Sequence, residues 1–209
     1  MFAPYDFTQR FLRDRRTVSE DLRLTAGSWL VGAYVLDTRE TNDQLDEFNG
    51  AVFRALTSRY EATNAALYGE IDVPLAERAR LAIGARLERR DTHYVDSDGR
   101  DQGPAETMGG GHVALEYDLA PGRMLYATVA RGYKAGGFNI VADVPADRAR
   151  FEAEFLSNVE AGFKGSVLDG RAHGAFAAFY MRRQDQQVAT STQLDPRSEE
   201  HTSELQSPI

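Results

Sequence analysis

The sequence predicts an all-β protein built from about eight antiparallel strands. Three observations support this fold class. Apolar and polar residues alternate with a period of two in several segments. The connections between those segments alternate between short turns and long polar loops. The clearest alternating runs would scatter their apolar residues around a helix instead of placing them on one stripe.

The strand pattern is clearest in 79–91. There Leu81, Ile83 and Leu87 share one face, whereas Arg86 and Glu88 share the other. The alternation is equally regular in three more segments and looser in four. The predicted strands are 19–25, 29–38, 60–73, 79–91, 111–119, 124–133, 157–167 and 172–188. The segment from Phe7 to Arg16 is left open as a short helix or a loop.

The predicted connections indicate which kind of β-protein this is. They are 26–28, 39–59, 74–78, 92–110, 120–123, 134–156 and 168–171. The short ones carry turn residues, as in Ala26-Gly27-Ser28 and Ala120-Pro121-Gly122. The long ones run to roughly 20 residues, which is uncommon in a compact soluble domain. Short turns on one side and long loops on the other are typical of outer-membrane β-barrels. Trp29 and Tyr117 would then lie in an aromatic girdle, or they are ordinary strand aromatics.

Composition excludes several classes of function. The formal net charge of −8 argues against a nucleic-acid partner, which would require a basic face. The absence of cysteine excludes disulfides and thiol chemistry. No stretch approaches the roughly 18 apolar residues of a membrane-spanning helix.

Four segments, in order along the chain, resemble the barrel of TonB-dependent outer-membrane receptors. The most specific is Leu125-Tyr126-Ala127-Thr128-Val129-Ala130-Arg131-Gly132-Tyr133-Lys134-Ala135-Gly136-Gly137-Phe138-Asn139. The others are Ser19-Glu20-Asp21-Leu22-Arg23-Leu24, Trp29-Leu30-Val31-Gly32-Ala33-Tyr34 and Asn158-Val159-Glu160-Ala161-Gly162-Phe163-Lys164. The resemblance implies a location in the bacterial outer membrane and a barrel of about 22 strands around a plug.

The chain shows only part of what the resemblance implies. With about eight strands, no plug and no TonB-contacting box, it is expected to be an internal part of the barrel, forming an open curved antiparallel sheet. The expected organisation is a loop or partial strand over 1–17, barrel over 18–190 and a disordered tail over 191–209. Within that tail, 197–209 resembles the translation of a sequencing-library adapter and is expected to be artefactual.

The resemblance and the strand pattern together nominate site residues. On the lumen-facing side of the strands we expect Arg86, Glu88, Arg90, Glu116, Glu160 and Lys164. In the segment 131–139 we expect contacts with ligand or plug from Arg131, Tyr133, Lys134 and Asn139. The alternative for the wall residues is a solvated surface whose charges pair with one another.

The remaining motifs give little indication of a metal site or a catalytic site. Asp96-Ser97-Asp98-Gly99-Arg100-Asp101 resembles the start of a calcium loop, but Thr107 stands where such a loop needs glutamate. Gly109-Gly110-Gly111 and Gly136-Gly137 are expected to allow tight bends. No histidine spacing indicates a metal site, and no catalytic set is present, so neither cofactor nor enzymatic activity is expected.

The function implied by the resemblance is active import of a scarce nutrient, most naturally an iron–siderophore complex. The expected partners are outer-membrane lipid, the TonB energy-transducing complex acting through the plug region, and the small-molecule ligand. Two alternatives remain open. One is a passive porin-like barrel, and the other is a soluble lipocalin-like binding protein with an apolar interior.

Overall fold

The computed structural model describes residues 6–139, 148–167 and 171–188. All regular structure in these residues is β-strand, apart from one short turn of 3₁₀ type near residue 148. The strands are β1 Phe7–Ala26, β2 Trp29–Phe48, β3 Ala51–Ala76, β4 Ala79–Asp96, β5 Asp101–Gln102, β6 Ala105–Ala120, β7 Arg123–Lys134, β8 Gly137–Phe138, β9 Arg150–Phe151, β10 Glu154–Val167 and β11 Ala172–Gln184. In the described part of the chain, no helix is long and apolar enough to cross a membrane.

The strands form one large antiparallel sheet. Its order is β1-β2-β3-β4-β6-β7-β10-β11, with the short β5 paired to β4. A separate small sheet pairs β8 with β9. Among the described residues no ladder joins β1 to β11, so the large sheet is open at both edges. The predicted fold class, an open antiparallel sheet of the outer-membrane barrel type, is confirmed.

The pairing register separates two faces of the sheet. Leu67 on β3 lies directly opposite Leu87 on β4, and both side chains are exposed, by 66% and 60%. Arg86 and Glu88, one residue away on either side of Leu87, contact each other on the opposite face. The predicted orientation of 79–91 is therefore confirmed. We call the face of Leu67 and Leu87 the outer face, and that of Arg86 and Glu88 the inner face.

Polarity is reversed relative to a soluble β-barrel. Large apolar side chains are exposed on the outer face of neighbouring strands, and they form a continuous belt. It includes Trp29, Val31, Val35, Leu67, Ile71, Ile83, Leu87, Val113, Leu115, Tyr117, Leu125, Val129, Val159, Phe176 and Tyr180. Buried polar side chains lie on the inner face, among them Glu40, Asn42, Asn64 and Glu88. This distribution is expected for a lipid-facing wall and contradicts the lipocalin-like alternative, which requires an apolar interior.

The prediction of a long polar loop over 39–59 is wrong. β2 and β3 continue through this segment as a ladder from Arg39↔Glu61 to Phe48↔Ala51. The hairpin closes at Asn49 and Gly50, whose φ angles are 50° and 77°. Two consecutive left-handed residues make the tight turn that matches strand twist, and Asn-Gly is the dipeptide that adopts it most readily. Polar composition signals exposure to water here, not the absence of a strand.

Three other predicted irregular segments are also more ordered than expected. Residues 7–16 belong to β1, so neither the helix nor the loop forms. In 92–110 the chain extends β4, adds β5 and begins β6. In 134–156 it forms β8 and β9. The predicted domain boundaries stay predictions, and the tail predicted at 191–209 lies outside the described residues.

Candidate functional site

Arg86 is the centre of an aromatic and acidic cluster on the inner face. Its guanidinium carbon lies 5.2 Å from the ring centre of Tyr34 and 5.8 Å from that of Tyr68. Its Nε and Nη2 donate to Glu88 Oε2 at 3.0 and 2.8 Å. The Tyr133 hydroxyl lies 3.0 Å from Arg86 Nε and donates to Glu88 at 2.9 Å. Three predicted site residues, Arg86, Glu88 and Tyr133, are therefore brought together, and with Tyr34 and Tyr68 we call them the Arg86 cluster.

Tyr133 reaches this cluster because Gly110 leaves room for it. A Cβ atom on Gly110 would lie 2.8 Å from the Arg131 carbonyl oxygen and 3.2 Å from Tyr133 Cδ1. Gly109-Gly110-Gly111 lies inside β6 and makes no bend, so the bend predicted there is wrong. Gly110 permits this close approach of neighbouring groups on the inner face. Tyr133 itself departs from strict alternation, which would have placed it with Val129 on the outer face.

The chain after β7 folds back over the inner face. We call the described parts of this segment, 134–139 and 148–153, the strap. Phe138 stacks on Tyr94 with ring centres 5.0 Å apart and an interplanar angle of 11°. The Gly136 amide donates to Glu106 Oε1 at 3.0 Å. Gln187 Nε2 donates to the carbonyl oxygens of Ala135 and Glu152. The strap is thereby attached to β4, to β6 and to the residues after β11.

Asn139 has a structural role in the strap. Its Nδ2 donates to the Arg148 carbonyl at 2.6 Å, and its amide donates to the Ala149 carbonyl at 2.8 Å. These bonds tie the two described ends of the strap together, next to the β8–β9 ladder. The prediction that Asn139 contacts ligand or plug has no support in these bonds and stays a prediction.

A cavity of about 500 Å³ lies between the strap and the inner face. Its wall comes from β1 to β4, and its cover comes from the strap and Gln187. The lining residues are Arg13, Arg15, Leu36, Thr38, Glu40, Tyr60, Ala62, Asn64, Arg90, Lys134, Ala135, Gly136, Gly137, Phe138, Phe151 and Gln187. Two of the predicted wall and loop residues, Arg90 and Lys134, therefore contribute to it.

The cavity lining is cationic and aromatic. Four of its side chains carry a positive charge at neutral pH, Arg13, Arg15, Arg90 and Lys134, against the single carboxylate of Glu40. Glu40 is 4% exposed and already forms ion pairs with Arg13, at 3.2 Å, and with Arg15. Arg90 and Lys134 are therefore the cations for which the lining supplies no carboxylate.

Two buried polar atoms next to the cavity lack partners. Asn64 and Arg90 are directly opposite each other in the β3–β4 ladder. Asn64 Oδ1 and Arg90 Nε are both buried, and neither has a hydrogen-bond partner in the described part of the chain. Arg90 Nη2 donates to the Tyr60 hydroxyl, and Asn64 Nδ2 donates to Glu88. One acceptor on Asn64 and one donor on Arg90 are thus left unsatisfied, which is costly.

The other predicted wall residues lie apart from the cavity. Glu116 accepts from Arg80 at 3.1 Å. Glu160 accepts from the Tyr126 hydroxyl at 2.6 Å, and the Lys164 ammonium lies 4.8 Å from the Tyr126 ring centre. These contacts fit the alternative of a wall whose polar groups pair with one another. Separately, the Arg131 guanidinium lies 4.4 Å from the ring centre of Phe155.

Sequence reasoning missed several residues of the cavity. Arg13 and Arg15 lie in the segment left open as helix or loop, where apolar and polar residues do not alternate and so give no local signal for a strand. Tyr60 was placed in a strand but given no role. No local pattern identifies Phe151 or Gln187. Phe151 reaches the cavity through the fold of the strap, and Gln187 reaches it from the residues after β11, where it is bonded to the strap.

In the segment resembling a calcium loop, the first carboxylate, that of Asp96, accepts hydrogen bonds from neighbouring residues of the chain. Asp96 Oδ1 accepts from the amides of Asp98 and Arg100 at 3.0 Å each. Asp96 Oδ2 accepts from the Tyr94 hydroxyl and from Arg100 Nη1, also at 3.0 Å. Gly99 has a φ of 87°, which completes a tight turn. These bonds account for the Asp-Gly motif without a cation.

Comparison with known proteins agrees with this architecture. A family model described as TonB dependent receptor-like, β-barrel, matches residues 2–202. The pesticin receptor of Yersinia pestis is 27% identical over 164 residues, which cover 75% of this chain and 24% of the receptor. A pesticin receptor of Yersinia enterocolitica is 26% identical over the same length. The chain thus spans about a quarter of the curated relatives it matches.

Solved structures extend the similarity to three dimensions. The ferric yersiniabactin uptake receptor FyuA of Yersinia pestis superposes with a TM-score of 0.68 at 25% identity, covering 89% of this chain and 30% of FyuA. The alcaligin outer-membrane receptor FauA of Bordetella pertussis shares the fold with a TM-score of 0.52 at 19% identity, covering 86% of this chain and 30% of FauA. The chain therefore belongs to the TonB-dependent receptor-like β-barrel family, whose members are receptors of the bacterial outer membrane and not enzymes.

Proposed function

We propose that this chain forms part of the ligand-binding wall of an outer-membrane receptor that imports an iron–siderophore complex. The observation that carries the proposal is the cavity under the strap. Its cations and aromatic rings suit a ligand that is negatively charged and carries flat, unsaturated groups. Transport through the receptor would leave the covalent structure of the ligand unchanged.

Arg90 is the central residue of this proposal. Its Nε is buried and unpartnered, and it faces no carboxylate in the cavity lining. An anionic oxygen of the ligand would accept from Arg90, and a hydroxyl or amide of the ligand would donate to Asn64 Oδ1. Charge-assisted hydrogen bonds of this kind are about twice as strong as neutral ones. Phe138 and Tyr60 would pack against the body of the ligand.

The named relatives support the choice of ligand class. FyuA takes up ferric yersiniabactin, and FauA is a receptor for alcaligin. Energy would come from TonB through the plug region, and the inner-face charges would contact that plug. A passive porin-like barrel is the competing function, because it shares the fold but needs neither TonB nor a specific cavity.

The test compares Arg90→Ala with Arg80→Ala in the receptor containing this chain, with ferric yersiniabactin as the first probe. Both arginines lie on the inner face, but Arg80 pairs with Glu116 away from the cavity. We expect Arg90→Ala to weaken binding by roughly tenfold or more, and Arg80→Ala by less than about twofold. Ferric alcaligin and a ferric catecholate serve as further probes if ferric yersiniabactin does not bind.

Uptake in cells lacking TonB separates active import from passive diffusion. We expect uptake of the bound ferric complex to be lost without TonB. Unchanged uptake would favour the porin-like alternative. Equal effects of the two arginine substitutions on binding would instead show that the cavity is not the ligand-binding site. That result would not contradict the proposed import function.

A further inference from the structure

Glu40 is the single carboxylate in the described lining of the cavity under the strap. It is the direct partner of Arg15 in the β1–β2 ladder, and it is only 4% exposed. Its Oε1 lies 3.2 Å from Arg13 Nε, and its Oε2 accepts a hydrogen bond from Arg15 Nε. A buried carboxylate requires partners of this kind. Two arginines of β1 are thereby held beside one carboxylate of β2.

The two arginines keep donors that Glu40 does not use. Their side chains are 44% and 54% exposed, for Arg13 and Arg15 respectively. Arg13 Nε also donates to Asn42 Oδ1 at 3.0 Å, but neither terminal nitrogen of Arg13 has a hydrogen-bond partner in the described part of the chain. A guanidinium group has five N–H donors, and those left over can bind a further anion.

Glu40 lowers the positive charge of the cavity. The described lining contains four positive side chains, those of Arg13, Arg15, Arg90 and Lys134, so its one carboxylate leaves an excess of three positive charges. A neutral side chain in place of Glu40 would raise that excess to four. Charges interact more strongly in a partly buried site than in bulk water, so one charge more or less in this lining changes the affinity for an anion.

We propose that Glu40 is a specificity-determining residue that limits the negative charge of the ferric complex bound in this cavity, which rests on the ligand-binding role proposed above. Its carboxylate contacts Arg13 and Arg15 as a negative group of the ligand would, and it repels a further negative group placed beside them. Iron held by three catecholate groups is triply negative and is disfavoured relative to complexes of lower charge. Specificity is a difference between affinities, and a repulsive group in the site can set it.

The test measures binding of two probes to the detergent-solubilised receptor that contains this chain. One is a triply negative ferric tricatecholate complex, and the other is a neutral ferric trihydroxamate complex. The variant is Glu40→Gln, which removes the charge and keeps the size of the side chain. The matched control is Glu116→Gln, because Glu116 pairs with Arg80 on the inner face outside the cavity. We expect the preference for the tricatecholate over the trihydroxamate to rise roughly tenfold in Glu40→Gln and by less than about twofold in the control.

A second variant adds a negative charge instead of removing one. Thr38 lines the cavity and lies two positions before Glu40 on β2, so Thr38→Glu places another carboxylate in the same lining. We expect the preference for the tricatecholate to fall roughly tenfold in this variant, with little change for the neutral complex. Heat-modifiable migration on gels shows which variants are folded, and Thr38→Glu tests the role of Glu40 even where Glu40→Gln does not fold.

Three outcomes would overturn this role of Glu40. The first is an unchanged preference in the folded variants at positions 40 and 38. The second is an equal change in the Glu116→Gln control. The third is an equal gain for both complexes in Glu40→Gln, which would indicate that size and not charge limits binding.

The Arg90→Ala variant separates this role from the proposed function. If Arg90→Ala weakens binding while the variants at positions 40 and 38 leave the preference unchanged, the cavity binds the ligand but Glu40 does not select it. If none of the three variants alters binding of either complex, the cavity is not the ligand site, and both the role of Glu40 and the binding role of the cavity are wrong.

Discussion

At the residue scale, the inner face shows how a charged side chain can be held in the wall of a barrel. Glu88 is only 7% exposed, yet it accepts hydrogen bonds from Asn64, Arg86 and Tyr133. A buried carboxylate is tolerated when each oxygen atom has donors of this kind. Tyr34 supplies a ring face to the same guanidinium. The Arg86 cluster therefore ties four strands, β2, β3, β4 and β7, to one charged pair.

Removing the carboxylate from this cluster should destabilise the protein. Glu88→Ala leaves Arg86, Asn64 and Tyr133 without their common acceptor, so we expect a loss of about 2–3 kcal/mol in the free energy of unfolding. Glu116→Ala is the matched control, because Glu116 pairs with Arg80 on the same face but its side chain is 37% exposed. Its loss should stay below about 1 kcal/mol. Urea unfolding in detergent measures both, and equal losses would contradict the special role of Glu88.

At the element scale, β2 and β3 show that strands can continue well past the lipid-facing region. Their ladder continues beyond Val35 and Ala65 for more than ten residues on each strand. In the continuation, alternate inner positions are buried, including Asn42, Gln44, Asp46 and Ser58. The outer positions of this continuation, such as Thr41 and Asp43, are exposed and polar, as expected where water and not lipid meets the outer face. This extended hairpin also positions Glu40 and Tyr60 at the cavity.

Cysteine cross-linking can test the register of the extended hairpin. The chain contains no cysteine, so no residue within it competes with an introduced pair. Asp43 and Thr57 are direct partners on the outer face, and paired positions in a ladder have Cα atoms close enough for a disulfide. We expect Asp43→Cys with Thr57→Cys to cross-link within minutes under mild oxidation. Asp43→Cys with Glu61→Cys, displaced by about 13 Å along the strand, should not. Cross-linking of both pairs would indicate a mobile loop.

At the scale of the whole molecule, both edges of the sheet remain open. β1 presents 20 residues of unpaired backbone on one side, and β11 presents 13 on the other. In the described residues no ladder covers either edge. Together with the exposed apolar belt, these edges leave a surface suited to lipid and to further strands, not to water.

Expression of these residues by themselves should therefore give an insoluble product. We expect the chain produced in the cytoplasm to form inclusion bodies, because its edges can pair with other copies and its apolar belt is exposed. Sedimentation after lysis measures the insoluble fraction. A soluble monomer that unfolds cooperatively would contradict this expectation and would indicate a small barrel that closes on itself.

Sequence alone determined the strand alternation, the separation of Leu87 from Arg86 and Glu88, and the family, because each depends on residues close together in the chain. It missed the hairpin over 39–59, although Asn49-Gly50 is a local signal that could have revealed it.

Only the tertiary structure determined where the cavity lies and which residues line it. Arg13, Asn64, Arg90, Phe138 and Gln187 come from five distant parts of the chain, and strand pairing brings the first three together. Phe138 arrives through the strap, which its stack on Tyr94 holds against the sheet. Gln187 arrives through its hydrogen bonds to the carbonyl oxygens of Ala135 and Glu152, which lie dozens of positions away in the sequence. Such contacts follow no period or motif in the sequence. They depend on residues that become neighbours only when the sheet has formed.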